Sequence, residues 1–264
     1  MKIYFAAALL FLSIAATAQS TASKQVSTIT LNAPQLGGER RVWIYLPKSY
    51  EDSPTKRYPV IYMHDGQNLF DKSTSFVGEW NIDEKLDSLN AQVIAIGIDN
   101  GGEKRIDELT PFPNVKYGGG KADKYLEFVI DVVKPEIDRT YRTKPDAKHT
   151  AIMGSSLGGL VSFYAILKYP DVFGKAAVFS PSFWFSDEIF KFAKSAPKIK
   201  SKIYFLAGDS EDEAMVNDLN KMELIIHENR CACLKLDKKV IVKGGHHNEK
   251  LWRDSFVKAY LWLF

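Results

Sequence analysis

The chain has 264 residues, 45% of them hydrophobic and 25% charged, enough to bury a sizeable core within one α/β domain. Its formal net charge is only +3, from 35 basic against 32 acidic residues, and no concentrated basic stripe accompanies it, so nucleic acid is not an expected partner. The two cysteines, Cys231 and Cys233, are too few for a disulfide scaffold, are spaced for a strained bridge and lack a third ligand at metal-site spacing, so they read as inert or free thiols.

The N-terminus departs from the rest. Lys2 supplies a positive start, Phe5 to Ala16 is apolar, and Ala16-Thr17-Ala18 offers small residues before Gln19. This is the pattern of a cleaved secretory leader over residues 1–18, too short for a membrane span of roughly 20 residues. No cysteine follows the apolar stretch, which argues against a lipid-attached start, and no later segment is apolar enough to span a bilayer. One exported domain over residues 19–264 is expected. Ser20 to Gln25 is polar and reads as loose.

Short β-type runs follow at Ser27 to Leu31, Arg41 to Leu46, Pro59 to Met63 and Val93 to Ile98, then at Thr150 to Met153, Ala176 to Phe179, Ile203 to Ala207 and Val240 to Val242. The run from Tyr58 to Met63 is near-continuously apolar, as in a strand covered on both faces. Helical spacing joins Tyr125, Phe128, Val129, Val132 and Val133, and again Met215, Leu219, Met222 and Ile226; Asp83 to Leu89 reads as a shorter helix. Early strands without intervening helices and later alternation predict a mostly parallel sheet with an antiparallel start, covered by helices. The Gly- and Pro-rich stretch from Asn100 to Lys121 reads as a long loop and a candidate wall of a site.

The sharpest motif is Gly154-Ser155-Ser156-Leu157-Gly158. It is a G-x-S-x-G elbow between an apolar strand and an apolar helix, which puts Ser156 at the tip of a tight turn. The helix from Leu157 to Tyr169 aims its positive end at charge developing there. Ser155 falls one residue early in the pattern. A serine needs a base. Of the five histidines, His149 opens the strand at the end remote from the elbow and His227 ends an amphipathic helix, so both read as structural. His64 and the pair His246-His247 remain. The pair follows the last strand, in the order Ser, acid, His. The acid should follow Ile203 to Ala207, where Asp209, Glu211, Asp212 and Glu213 crowd one loop. Composition does not choose between them, and Asp212 or Ser210 would suit a helix cap. Two backbone donors should face the oxyanion: the N–H of Leu157 and one from the loop His64-Asp65-Gly66-Gln67-Asn68, with Gln67 preferred.

These residues resemble the putative-esterase branch of the α/β-hydrolases, which includes feruloyl esterases, S-formylglutathione hydrolases, enterochelin-type esterases and mycolyltransferases. The resemblance runs from about Arg41 to Phe264. It is carried by the stretch from Tyr58 to Asp71, by Gly78-Glu79-Trp80, by Gly154 to Gly159, and by His247 to Trp252. It implies the α/β-hydrolase fold, a mostly parallel central sheet with helices on both faces. That family often sets its histidine five residues before a Trp, which His247 and Trp252 match, and its acid three residues after the strand-ending Gly, which from Gly208 is Glu211. Feruloyl relatives usually carry a His-Gly turn at the oxyanion loop. Here it is His64-Asp65-Gly66, as in the sugar-ester and siderophore-ester members.

The expected activity is that of a secreted serine carboxylic-ester hydrolase working through an acyl-enzyme, with no metal or organic cofactor. Its expected partner is a small-molecule or oligosaccharide ester, such as a feruloyl or acetyl ester of a carbohydrate. Trp184 is the first candidate for an aromatic cleft, with Trp80, Tyr117 and Phe183 beside it. Arg105 and Lys121 are candidates for an anionic substrate such as a ferric siderophore. A sugar acyltransferase is a rival, and a non-catalytic carbohydrate-binding protein is opposed by the retained Ser, His and acid.

Overall fold

The computed structural model describes residues 20–197, 199–228 and 236–264. The expected leader and the Cys231 and Cys233 pair lie outside the described residues.

Eight strands form the main sheet: β1 (Val26–Ala33), β2 (Gly38–Tyr45), β3 (Val60–His64), β4 (Ile94–Ile98), β7 (Thr150–Ser155), β8 (Lys175–Phe179), β9 (Lys202–Gly208) and β10 (Asp237–Val242). A separate hairpin of β5 (Pro113–Asn114) and β6 (Gly118–Gly119) stands apart. The order across the main sheet is β1-β2-β4-β3-β7-β8-β9-β10. β2 runs antiparallel to both neighbours, and every other pairing is parallel. Every residue of β3, β4 and β7 is buried, as central parallel strands sealed on both faces must be.

The strand alternation divides the core in two. Tyr62, Ile96, Ile152 and Phe205 face one layer. Ile61, Met63, Ala95, Met153 and Tyr204 face the other. Helices α1 (Ile82–Ser88) and α8 (Glu249–Leu263) cover the second layer. Helices α3 (Ala122–Phe128), α4 (Lys134–Thr140), α5 (Leu157–Lys168), α6 (Glu188–Ser195) and α7 (Glu213–Glu228) cover the first. α3 continues into α4 through a π-helical turn at Val129–Val133. Pro135 stands just after it. Proline offers no N–H, and its ring would crowd the Asp131 carbonyl of a regular helix, so a widened turn immediately before it accommodates both.

The stretch from Asn100 to Lys121 is not one open loop. It holds α2 (Arg105–Leu109) and the β5–β6 hairpin. Glu108 of α2 is buried, pairs with Arg40 at 2.5 Å, and accepts the Gly101 N–H at 2.8 Å. That buried pair orders a segment whose composition suggested irregular chain. Helix α6 was not anticipated; with only Ile189, Phe190 and Ala193 buried, its periodicity is too short to stand out.

The segment after residue 19 is also a correction. Ser20 Oγ donates to Asp71 Oδ2 (2.5 Å), Thr21 Oγ1 to Glu79 Oε2 (3.1 Å), and the Ser23 N–H to Asp83 Oδ2 (2.7 Å). A polar, loose reading failed because the partners are acids far along the chain. Burial and the neighbouring Glu84 push the Asp83 carboxyl up to about 7. No helix among the described residues is long and apolar enough to cross a membrane.

Candidate active site

In the parallel part of the sheet the carboxyl ends of β3, β7, β8, β9 and β10 open on one edge, where sheets of this kind place ligands. At the end of β7, Ser156 has φ 57° and ψ −121°, a sparsely populated conformation. Three backbone bonds impose it: Ser156 N–H to Phe179 O (2.9 Å), Leu160 N–H to Ser156 O (3.0 Å) and Ser182 N–H to Ser156 O (3.1 Å). The flanking glycines have a steric reason. A Cβ on Gly154 would lie 2.7 Å from the Gly158 carbonyl carbon and 2.8 Å from His64 Cδ2. The Ser156 hydroxyl is bonded to Ser182 Oγ at 3.2 Å, not to His247. Ser155, the rival serine, is buried.

His247 Nδ1 lies 2.6 Å from Glu211 Oε2. The Glu211 side chain is fully buried while that of His247 is 36% exposed. Glu211 Oε1 accepts from Ser180 Oγ (2.7 Å) and from the Gly208 N–H (2.6 Å), and Ser180 Oγ accepts from Trp252 Nε1 (2.8 Å). The His247 ring stands edge-on to Trp252, centroids 5.0 Å apart. With Nδ1–H given to the carboxylate, the lone pair is left on Nε2. The neighbouring acids are committed elsewhere. Asp209 Oδ1 accepts the Gly244 N–H (2.7 Å), and Asp212 Oδ1 accepts the Met215 N–H (2.7 Å) at the start of α7. His246 Nδ1 meets the Ser210 carbonyl at 2.9 Å.

The N–H groups of Leu157 and Gln67 have no acceptor among the described residues. Gln67 sits in a 3-10 turn, Gly66–Asn68, entered through Asp65 at φ 56°. A Cβ on Gly66 would lie 2.7 Å from the Gly97 carbonyl carbon, so the turn closes on β4 only with glycine there. Asp65 is gripped by Arg105 Nε and Nη2 at 2.7 and 2.8 Å and by Asn100 Nδ2 at 2.5 Å. Burial alone would raise Asp65, but the Arg105 guanidinium and the Asn100 amide hold its carboxyl below the usual range.

His64 is not placed as a base. It is buried beneath the elbow, its Nδ1 2.7 Å from Tyr125 Oη, and burial drives it down to about 4. Above pH ~6.5 both folded and unfolded chains carry it neutral. As pH falls from there toward 4, only the unfolded chain takes the proton, so stability falls through that window by roughly 3 kcal/mol. Denaturant melts of wild type and His64→Gln between about pH 4 and 7 should differ in slope, the variant losing that share of the acid sensitivity; parallel curves would refute it.

A cavity of about 900 Å³ joins Ser156, His247, Gln67 and Arg105. Amides of Asn68, Asn100 and Asn248 line it, with Trp80, Phe76 and Val77 on its apolar side. Trp80 is buried, stacked on Phe179 (6.1 Å) and tilted against Trp252 (6.0 Å). Trp184 lies outside the cavity lining. It is 48% exposed and meets Tyr117 edge-on at 6.0 Å. The 3-10 turn Phe183–Phe185 buries Phe183 and Phe185 and turns the residue between them outward. Lys121 is paired with Asp107 at 2.7 Å. Ser180 and Ser182 were given no role from the sequence, because no motif marks them.

The family described as Putative esterase matches residues 33–263. The chain is 28% identical over 245 residues to the uncharacterized protein YbbA of Bacillus subtilis, covering 86% of this chain and 93% of that one. It is 26% identical over 254 residues to an endo-1,4-beta-xylanase/feruloyl esterase of Xylanibacter ruminicola, covering 90% of this chain but 31% of that protein. To the ferri-bacillibactin esterase BesA of Bacillus subtilis it is 29% identical over 160 residues, 54% of each. Among solved structures, the BES protein from Bacillus cereus superposes with a TM-score of 0.74 at 19% identity, covering 94% of this chain and 98% of that one. A ferulic acid esterase does so at 0.69 and 17%, covering 90% and 97%. The strand order and these likenesses give the α/β-hydrolase fold, and the match over residues 33–263 shows that the chain belongs to the Putative esterase family of carboxylic-ester hydrolases.

Proposed function

We propose that the chain is an exported serine esterase that cleaves acyl esters of carbohydrates through an acyl-enzyme. The observation that carries the reading is the Glu211 to His247 bond of 2.6 Å, opening on the same cavity as the strained Ser156. His247 Nε2 takes the Ser156 proton once the hydroxyl turns from Ser182, and Ser156 Oγ attacks the ester carbonyl. The Leu157 and Gln67 N–H groups receive the oxyanion, each worth about 3 kcal/mol in comparable sites. His247 then protonates the leaving alcohol, which departs, and activates a water that releases the acid from Ser156. Glu211 fixes the imidazole and offsets its charge.

The cavity lining favours a neutral polyhydroxylated substrate. Amides and hydroxyls dominate its polar side, and Arg105 is already neutralised by Asp65, while Glu249 adds a negative charge. A polyanionic ferric siderophore therefore finds no surplus positive charge there. The siderophore-ester reading is kept as second because relatives carry that name, BesA among them. Initial rates on methyl ferulate, on acetylated xylan fragments and on a ferric catecholate ester, with product analysis in the presence of an acceptor sugar, separate the readings. Acid release from the first two supports the proposal. Turnover of the siderophore ester alone, or transfer to the sugar in place of hydrolysis, replaces it.

A further inference from the structure

Glu79, before α1, and Asp83 and Glu84, in its first turn, come together with one carboxylate oxygen of each lying within 4.8 Å of the others. Glu79 and Asp83 are buried, and none of the three is in an ion pair among the described residues. The segment from Ser20 anchors one oxygen of each buried acid: Thr21 Oγ1 donates to Glu79 Oε2 and the Ser23 N–H to Asp83 Oδ2. The other oxygens, Glu79 Oε1 and Asp83 Oδ1, are inaccessible and have no partner, and the same holds for Ser23 Oγ beside them. Buried oxygens without donors are rare and call for a compensating charge.

We propose that Glu79, Asp83 and Glu84, closed over by Ser23, bind a hard divalent cation, calcium by preference. Oxygen-only donors select calcium or magnesium over zinc or copper. Calcium accepts about six to eight oxygens in a flexible shell, whereas magnesium demands a near-ideal octahedron and keeps most of its waters, so carboxylates already anchored by Thr21 and Ser23 favour calcium. The bound ion clamps the segment at Ser20 to Ser23 onto the head of α1. It touches no residue of the catalytic cavity directly, but Glu79 precedes Trp80, which lines that cavity.

The test is a thermal melt and a calorimetric titration of the chelator-treated protein with calcium and then magnesium, repeated on Glu84→Gln and Asp83→Asn. At about a hundredfold excess over Kd, calcium should raise Tm by roughly 5 °C. Magnesium should do less. Glu84→Gln should weaken calcium at least ~10-fold and Asp83→Asn should abolish its heat. Glu84 is exposed, so its variant decides the matter if Asp83→Asn does not fold. A wild-type Tm unmoved by both ions overturns the proposal, as does a calcium shift retained in full by Glu84→Gln.

Discussion

Replacing Ser156 with alanine should lower kcat/KM for ester hydrolysis by about four to six orders of magnitude and leave Tm within a few degrees of wild type. In the proposed mechanism the loss follows from removing the covalent route, and what remains would come from the Leu157 and Gln67 donors acting on water attack. The fold should not suffer, because the backbone bonds from Ser156 to Phe179 and from Leu160 and Ser182 to Ser156 do not involve the side chain. Ser155→Ala is the matched control and should retain activity within about tenfold, since Ser155 is the buried last residue of β7 and lines the cavity only beside the turn that presents Ser156. Threonine at 156 should be inactive and unstable as well, because a β-branched side chain is strained at φ 57°. Parallel kinetics and melts decide it: appreciable turnover in Ser156→Ala would remove Ser156 as nucleophile.

Glu211→Gln should reduce kcat by about 10³ to 10⁴ with KM little changed, by a route more specific than lost charge. The Gly208 N–H and the Ser180 hydroxyl both donate to Oε1, and Trp252 donates to Ser180. These donors hold the amide oxygen of a glutamine at that end and turn its NH₂ toward His247. Nδ1 must then accept, the proton moves to Nε2, and the base faces Ser156 in the wrong tautomer. Asp209→Ala and Asp212→Ala should keep kcat within about threefold, while Asp212→Ala loses the α7 cap at a cost of about 1 kcal/mol. Steady-state kinetics with urea melts on the three variants test the assignment, and it fails if Asp209→Ala is as impaired as Glu211→Gln.

The elbow was legible because its requirements are local: glycines at 154 and 158 are demanded by atoms within the turn and by His64 beneath it. The strand pattern was legible because central strands are buried on both faces. The preference for Glu211 was not legible from composition, since Asp209, Glu211 and Asp212 are chemically alike there; in the structure Glu211 meets His247, while Asp209 and Asp212 accept the N–H groups of Gly244 and Met215. The Ser180 to Trp252 bond joins residues 72 apart in sequence, beyond any spacing rule. The same distance problem misled the reading of Ser20 to Gln25, because the acids that hold Ser20, Thr21 and Ser23 lie 50 or more residues on. Trp184 was the first candidate because it follows a strand end on the side where such a fold opens its site, but the direction of a side chain in a one-turn 3-10 segment depends on which neighbours fill the core, and Phe183 and Phe185 do so.

The π-helical turn at Val129–Val133 also says where the chain tolerates a change of length. A π turn holds one residue more than an α turn, so deleting a single residue there leaves a regular helix with Tyr125 and Ile137 still facing the sheet. A deletion one turn away rotates everything beyond it by about 100° and turns the apolar face outward. Among length variants of this protein, single-residue gaps in the segment from 122 to 140 should therefore gather at this turn, and such a variant would also have to lose Pro135 to keep its helix straight.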